Sequence, residues 1–176
     1  MRKSLFAALL LSFAMPASAA LPVGAPAPDF TTRGAIAGKV FKLHLAEQLK
    51  KGPVVLYFFP AAFTPGCTLE AQEFAEATDD FNKLGATVIG MSADPIDKLA
   101  KFSVSECRNK FAVASAGNSL IDKYDVALPL KVGLSNRTSY VISPQGRILY
   151  AHSDMSHRDH VKNTLAAVRK WRAEQK

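Results

Sequence analysis

Pro60-Ala61-Ala62-Phe63-Thr64-Pro65-Gly66-Cys67-Thr68-Leu69-Glu70 is the segment whose residue types and spacing could do chemistry. Thr64 is a good N-cap, and Pro65 suits the first helical position, where its missing N–H costs nothing. Cys67 then falls at the third helical position, among backbone N–H groups that have no helical acceptor. Those donors and the positive end of the helix dipole favour thiolate over thiol, and the thiolate is the nucleophilic form. Gly66 adds no side chain beside the sulfur, so a small substrate can approach. Cys67, Glu70, Phe74, Ala77 and Phe81 recur at helical spacing, so the face that buries the two phenylalanines also carries a carboxylate toward the core. A buried carboxylate needs a cationic or hydrogen-bonding partner. Arg137 is the chosen candidate: held near Cys67, it would stabilise the thiolate and the charge developing on a substrate oxygen.

The only other cysteine is Cys107. In an oxidising compartment a cysteine pair most often forms a structural disulfide. A chain of 176 residues can bury a full core without such a staple, and a capped helix start points Cys67 toward reactivity. His152, Asp154, His157, Asp159 and His160 could in principle bind a metal, but Asp159 could equally cap a helix with the histidines in water, and no metal is expected. His44 stands apart as a surface or packing residue. No Gly-rich phosphate loop and no Ser/His/Asp pattern is present.

The elements that must position Cys67 can be read from periodicity. Residues 54–59, Val-Val-Leu-Tyr-Phe-Phe, form a continuous apolar run suited to a strand buried on both faces, ended by Pro60. A helix is predicted over 65–84 and closed by Gly85, then a strand at 87–91 and a helix at 95–108. A short strand at 111–114 and a short helix at 119–124 follow. Strands at 139–142 and 147–150 flank Ser143-Pro144-Gln145-Gly146, a tight-turn sequence, and a last helix runs from 159 to 171. Residues 24–30 form an extended, proline-rich lead-in. Strand–helix alternation ending in a hairpin and a helix makes this an α/β chain, with a mixed central sheet covered on both faces.

The first residues look like an export signal. Arg2 and Lys3 precede a short apolar stretch, and Ala17-Ser18-Ala19 is an A-x-A cleavage site, so residues 1–19 are read as a signal peptide and 20–176 as one domain. Its removal takes the chain to 157 residues and the formal charge from +7 to +5. The expected location is periplasmic or secreted, with no membrane attachment after cleavage. The basic residues near the C-terminus interleave with Val161, Leu165, Val168 and Trp171 at helical spacing, which describes a solvated face rather than a nucleic-acid platform.

Pro60-x-x-x-Thr64-x-x-Cys67 resembles the active-site signature of the peroxiredoxins, the AhpC/TSA superfamily, and residues 63–68 are similar to its bacterioferritin-comigratory, or Q-type, branch. The likeness runs from Pro26 and Pro28 through Arg137 to the Gly146 turn. It implies a thioredoxin-like fold and a thiol peroxidase that needs no cofactor, reduces hydrogen peroxide and small organic hydroperoxides, and is recycled by an external thioredoxin-like dithiol protein. By that resemblance Cys67 is the peroxidatic cysteine, Thr64 orients the peroxide, Pro60 shields the sulfenate and Arg137 activates thiolate and peroxide. A monomer or weak dimer is implied. Many Q-type members carry a resolving cysteine five residues on, where this chain has Gln72. Others place it in the later helix, which points to Cys107 as the resolving thiol, with unwinding of the Cys67 helix start during turnover. The other reading of Cys107 is a buried small hydrophobe on a face shared with Ile96, Leu99 and Ser103. Two rival functions each lack a cysteine that their chemistry requires. A thioredoxin-fold disulfide oxidoreductase would need a second cysteine where Glu70 stands, and a copper-binding module one where Ala71 stands.

Overall fold

A computed structural model describes residues 20–175; the expected export signal lies outside them. Val54–Phe58 forms strand β3, and all five residues are buried. Its alternation divides the interior. Val55 and Tyr57 enter one core with Phe74, Phe81, Leu99, Phe102 and both cysteines, whereas Val54, Leu56 and Phe58 enter a second with Leu45, Ile89, Leu120, Tyr124 and Tyr140. A strand feeding two cores reads as an unbroken apolar run because each face needs its own apolar set.

The chain order is β1 (Thr31–Ile36), β2 (Lys39–His44), α1 (Leu45–Leu49), β3, α2 (Pro65–Lys83), β4 (Thr87–Ser92), α3 (Ile96–Ser105), β5 (Ala112–Ser115), α4 (Asn118–Lys123), β6 (Thr138–Ile142), β7 (Ile148–Ser153) and α5 (His160–Glu174). The seven strands lie in the order β2-β1-β5-β4-β3-β6-β7. β3, β4 and β5 are parallel, and β1, β2, β6 and β7 pair antiparallel. Helices α2, α3 and α5 cover the face that carries Cys67 and Cys107; α1 and α4 cover the other. This is the mixed α/β sheet that alternation predicts.

Several expectations need correction. Residues 31–49, unassigned from periodicity, form a hairpin and a short helix; Ala37 and Gly38 both have positive φ, as a tight hairpin turn requires. The helix expected over 95–108 stops at Ser105, and Cys107 lies beyond it. There the Cys107 N–H reaches back to the Phe102 carbonyl, and Arg108 and Asn109 take left-handed backbone conformations that end the helix. The strand expected at 147–150 runs on as β7 to Ser153. Gly90 has a packing reason that periodicity could not disclose. A Cβ there would stand 2.8 Å from Cζ of Tyr57, its partner across the β3–β4 pair.

Candidate active site

The long helix α2 carries Cys67 at its start. Thr64 is the N-cap in extended conformation, Pro65 is the first helical residue and Cys67 the third. The first intrahelical bond runs from the Thr68 N–H to the Thr64 carbonyl, so the N–H groups of Gly66 and Cys67 precede the ladder. Thr64 itself departs from expectation. Its hydroxyl does not cap the helix but donates to the Ala61 carbonyl at 2.9 Å, and the residue is solvent-exposed. This leaves the oxygen lone pairs free to accept from a bound molecule. Pro60 ends the segment after β3 and is half-buried.

Cys67 is 1% exposed and free. Arg137, immediately before β6, donates from Nη2 to Cys67 Sγ at 3.4 Å and from Nη1 to Glu70 Oε2, and its Nε donates to the Met155 carbonyl at 3.0 Å. The arginine chosen from sequence as the partner of Glu70 is therefore the partner of both residues. Gly66 makes room for it: a Cβ there would stand 3.2 Å from Nη2. Burial works against the guanidinium charge, but Glu70, Cys67 and the bonds to them more than offset it and hold Arg137 above its ordinary pKa. Burial pushes the Glu70 carboxyl up to about 8, with Arg137 pulling the other way. A guanidinium aimed at the sulfur would face the oxygens of a peroxide bound there.

Sequence reasoning missed three contributors. Asp94 anchors the loop between β3 and α2: Oδ2 accepts the Ala62 N–H at 2.6 Å and the Ser92 hydroxyl at 2.7 Å, and Oδ1 pairs with Lys98 at 2.7 Å. Burial opposes its charge, yet these bonds hold its pKa below the usual carboxylate value. An aspartate before a proline at a helix start reads as a local cap, so nothing in sequence shows its reach across 32 positions to Ala62. Tyr57 is fully buried, stacks on Phe74 with ring centroids 4.3 Å apart, and its hydroxyl has no hydrogen-bond partner among the described residues. Burial, then Cys107, Glu70 and Cys67, push its phenol far above the ordinary value. The third is His160.

The His/Asp group is not a set of solvated histidines. His160 is fully buried, with Nδ1 2.8 Å from Ser139 Oγ and Nε2 3.0 Å from the Asp154 carbonyl. Asp159 occupies the N-cap of α5 in a left-handed conformation and makes no side-chain cap bond. Among the described residues no group of three or more His, Cys, Asp or Glu is arranged to hold a metal ion. His44 does not stand apart either, since Nε2 lies 2.8 Å from Asp29 Oδ2.

Cys107 is free and fully buried in the same core as Cys67, and burial pushes its thiol far above the ordinary value. Its segment is tied to α2 by three polar contacts: Gln72 to Glu106 at 3.0 Å, Glu76 to Arg108 at 3.1 Å and Asp79 to Lys110 at 3.2 Å.

A model of the AhpC/TSA family matches residues 23–151. Peroxiredoxin Bcp of Bacillus subtilis is 29% identical over 154 residues, covering 85% of this chain and 96% of that protein. Among solved structures, peroxidoxin BcpB of Mycobacterium tuberculosis superposes with a TM-score of 0.75 at 32% identity, over 84% of this chain and 96% of the other. The bacterioferritin comigratory protein of Xanthomonas campestris, solved to study its alkyl peroxide reduction, gives 0.70 at 25% identity, over 80% and 91%. With the Cys67–Arg137–Glu70 arrangement on a thioredoxin-like sheet, these matches place the chain in the AhpC/TSA family, the peroxiredoxins.

Proposed function

We propose that this protein is an exported thiol-dependent peroxidase that reduces hydrogen peroxide and small organic hydroperoxides at Cys67 and is recycled by an external thioredoxin-like dithiol protein. The observation that carries the reading is the Arg137 guanidinium on Cys67 Sγ at the open end of a helix. The Cys67 thiolate attacks one peroxide oxygen and the O–O bond breaks. The second oxygen leaves with the bonding electrons and takes up a proton, emerging as water or an alcohol. The sulfur, oxidised by two electrons, becomes a sulfenic acid. Arg137 faces the charge that builds on the departing oxygen. Thr64, with lone pairs to spare, accepts from the peroxide O–H, and Pro60 helps to screen the sulfenic acid.

Cys107 then resolves the intermediate: its sulfur bonds to Cys67, water leaves, and the disulfide is reduced by thiol–disulfide exchange. A buried thiol pushed up in pKa is a poor attacker, so Cys107 must leave its core site before it reacts. The three polar contacts of residues 106–110 with α2 are what that departure breaks, together with the first turn of α2. Export rests on the sequence of residues 1–19, and the enzyme works as a monomer or weak dimer.

The experiment is peroxide consumption with a thioredoxin-type reductant. Cys67→Ser must abolish turnover; an unimpaired Cys67→Ser protein overturns the reading. Cys107→Ala should retain one round of peroxide reduction but give no intramolecular disulfide by mass mapping. Full dithiol-driven turnover in that variant would make this a one-cysteine enzyme.

A further inference from the structure

Arg137 is oriented through two oxygen partners, and they differ in firmness. Glu70 is a side chain of α2 with no exposure, whereas Met155 lies in the bend after β7 and is 52% exposed. A solvent-facing bend is a poor place from which to aim a buried cation. Two bonds brace it. The Asp154 N–H donates to the Arg137 carbonyl at 3.1 Å, and His160 Nε2 meets the Asp154 carbonyl at 3.0 Å. The other nitrogen of the same ring, Nδ1, lies 3.7 Å from Glu70 Oε1, an atom with no hydrogen-bond partner among the described residues. One imidazole therefore borders both groups that hold the arginine.

The tautomer follows from the partners. A carbonyl only accepts, so Nε2 carries the hydrogen; Nδ1 is then an acceptor and takes the Ser139 hydroxyl at 2.8 Å. A neutral ring makes both bonds. The charged and titratable groups around it are Glu70 from α2, Arg137 beside β6, His152 of β7, with ring centroids 4.5 Å apart, and Asp154 in the bend. Burial, with His152 and Arg137 adding to it against the Asp154 carbonyl, lowers the His160 pKa to about 4, which keeps the ring neutral.

We infer that His160 is a positioning residue for the peroxide reaction, holding the bend at 154–155 so that the Met155 carbonyl keeps the Arg137 guanidinium on Cys67 Sγ. The inference rests on the peroxidase reading of Cys67. His160→Leu removes both ring bonds, whereas His160→Gln keeps a donor for Asp154 and an acceptor for Ser139.

Two measurements test it. In single-turnover reaction with hydrogen peroxide, His160→Leu should slow Cys67 oxidation about tenfold, and His160→Gln should restore most of the rate. In an Arg137→Lys background, His160→Leu should cost less than about twofold further, since residues acting through one another are not additive. The second readout is the Arg137 Nε–H resonance, assigned by its loss in Arg137→Lys. It should be protected from solvent exchange in the wild type and in His160→Gln, and exposed in His160→Leu. That readout needs no peroxide, so a wild type that fails to reduce peroxide would sink the peroxidase reading while leaving this measurement intact. Unchanged rate and protection in His160→Leu overturn the inference, as does an equal loss in the Arg137→Lys background. Should His160→Leu not fold, Ser139→Ala removes only the bond that holds the ring at Nδ1 and should slow the reaction about threefold; no slowing there would overturn the inference as well.

Discussion

Acid should unfold this protein partly through a single histidine, and the size of the effect can be worked out. His160 has a pKa of about 4 in the folded chain, against an ordinary value near 6.5 in the unfolded one. The folded state refuses a proton that the unfolded state accepts, so the contribution is fully present above pH 6.5 and is lost as pH falls toward 4. For one site with these two constants the loss is about 2 kcal/mol on going from pH 7 to pH 5, and about 3 kcal/mol by pH 4. Glu70 works in the opposite sense. Its folded pKa is raised to about 8, so its contribution is present below its unfolded value and declines as pH rises through 8. Subtracting a His160→Gln protein isolates the histidine, because that variant keeps the ring's hydrogen-bonding functions and cannot take the proton. The assay is urea unfolding of the reduced protein at pH 7, 6 and 5. With a slope of roughly 2 kcal/mol per molar urea, the wild-type midpoint should fall about 1 M more than that of His160→Gln between pH 7 and pH 5. Midpoints that move in parallel would refute the neutral, buried assignment of His160.

Three further outcomes follow from the packing. Asp94→Asn retains an acceptor for Ala62 but loses the charge that pairs with Lys98 and strengthens the 2.6 Å bond; it should lower stability by about 1–3 kcal/mol and speed amide exchange at Ala62 by hydrogen-exchange mass spectrometry. Gly90→Ala pushes a methyl group against the Tyr57 ring, where the contact would be 2.8 Å, and should destabilise the chain by about 1–3 kcal/mol, read as a fall in Tm. The Glu76–Arg108 and Asp79–Lys110 pairs are solvent-exposed, so raising salt from about 0.05 to 0.5 M should weaken them and speed formation of the Cys67–Cys107 disulfide after peroxide addition, followed by quenched mass mapping.

Local rules carried the site further than the fold around it. Thr64-Pro65-Gly66-Cys67 could be placed at a helix start because capping and the proline position are properties of four adjacent residues. Glu70 could be turned inward because it shares a face with Phe74 and Phe81, and its need for a cation led to Arg137, 67 positions away. Hydrogen bonds without a complementary charge left no such trail. Asp94 reaches Ala62 and His160 reaches the Asp154 carbonyl, and a backbone amide or carbonyl looks the same at every position of a sequence. The hairpin of residues 31–44 escaped because Gly34 and Arg33 interrupt its alternation, and the end of α3 because Arg108 and Asn109 adopt positive φ without glycine.

Helix α2 has 19 residues, a rod about 28 Å long, and Cys67 sits in its first turn. Phe74 and Phe81 clamp the middle and far turns into the core, whereas Leu69, in its second turn, is half exposed and Phe63, just before the helix, is half exposed with its ring edge-on to Phe102. The rod is thus held by aromatic packing where it meets the sheet, and at its mouth by the polar contacts of Arg137 and Asp94. Unravelling one turn breaks few backbone bonds and leaves the aromatic clamp intact, so the shape change that the proposed cycle requires should leave the global unfolding temperature almost unmoved. Under the proposed cycle, oxidation is therefore best followed residue by residue along the first turn, and the reduced protein and its sulfenic acid form should melt nearly alike.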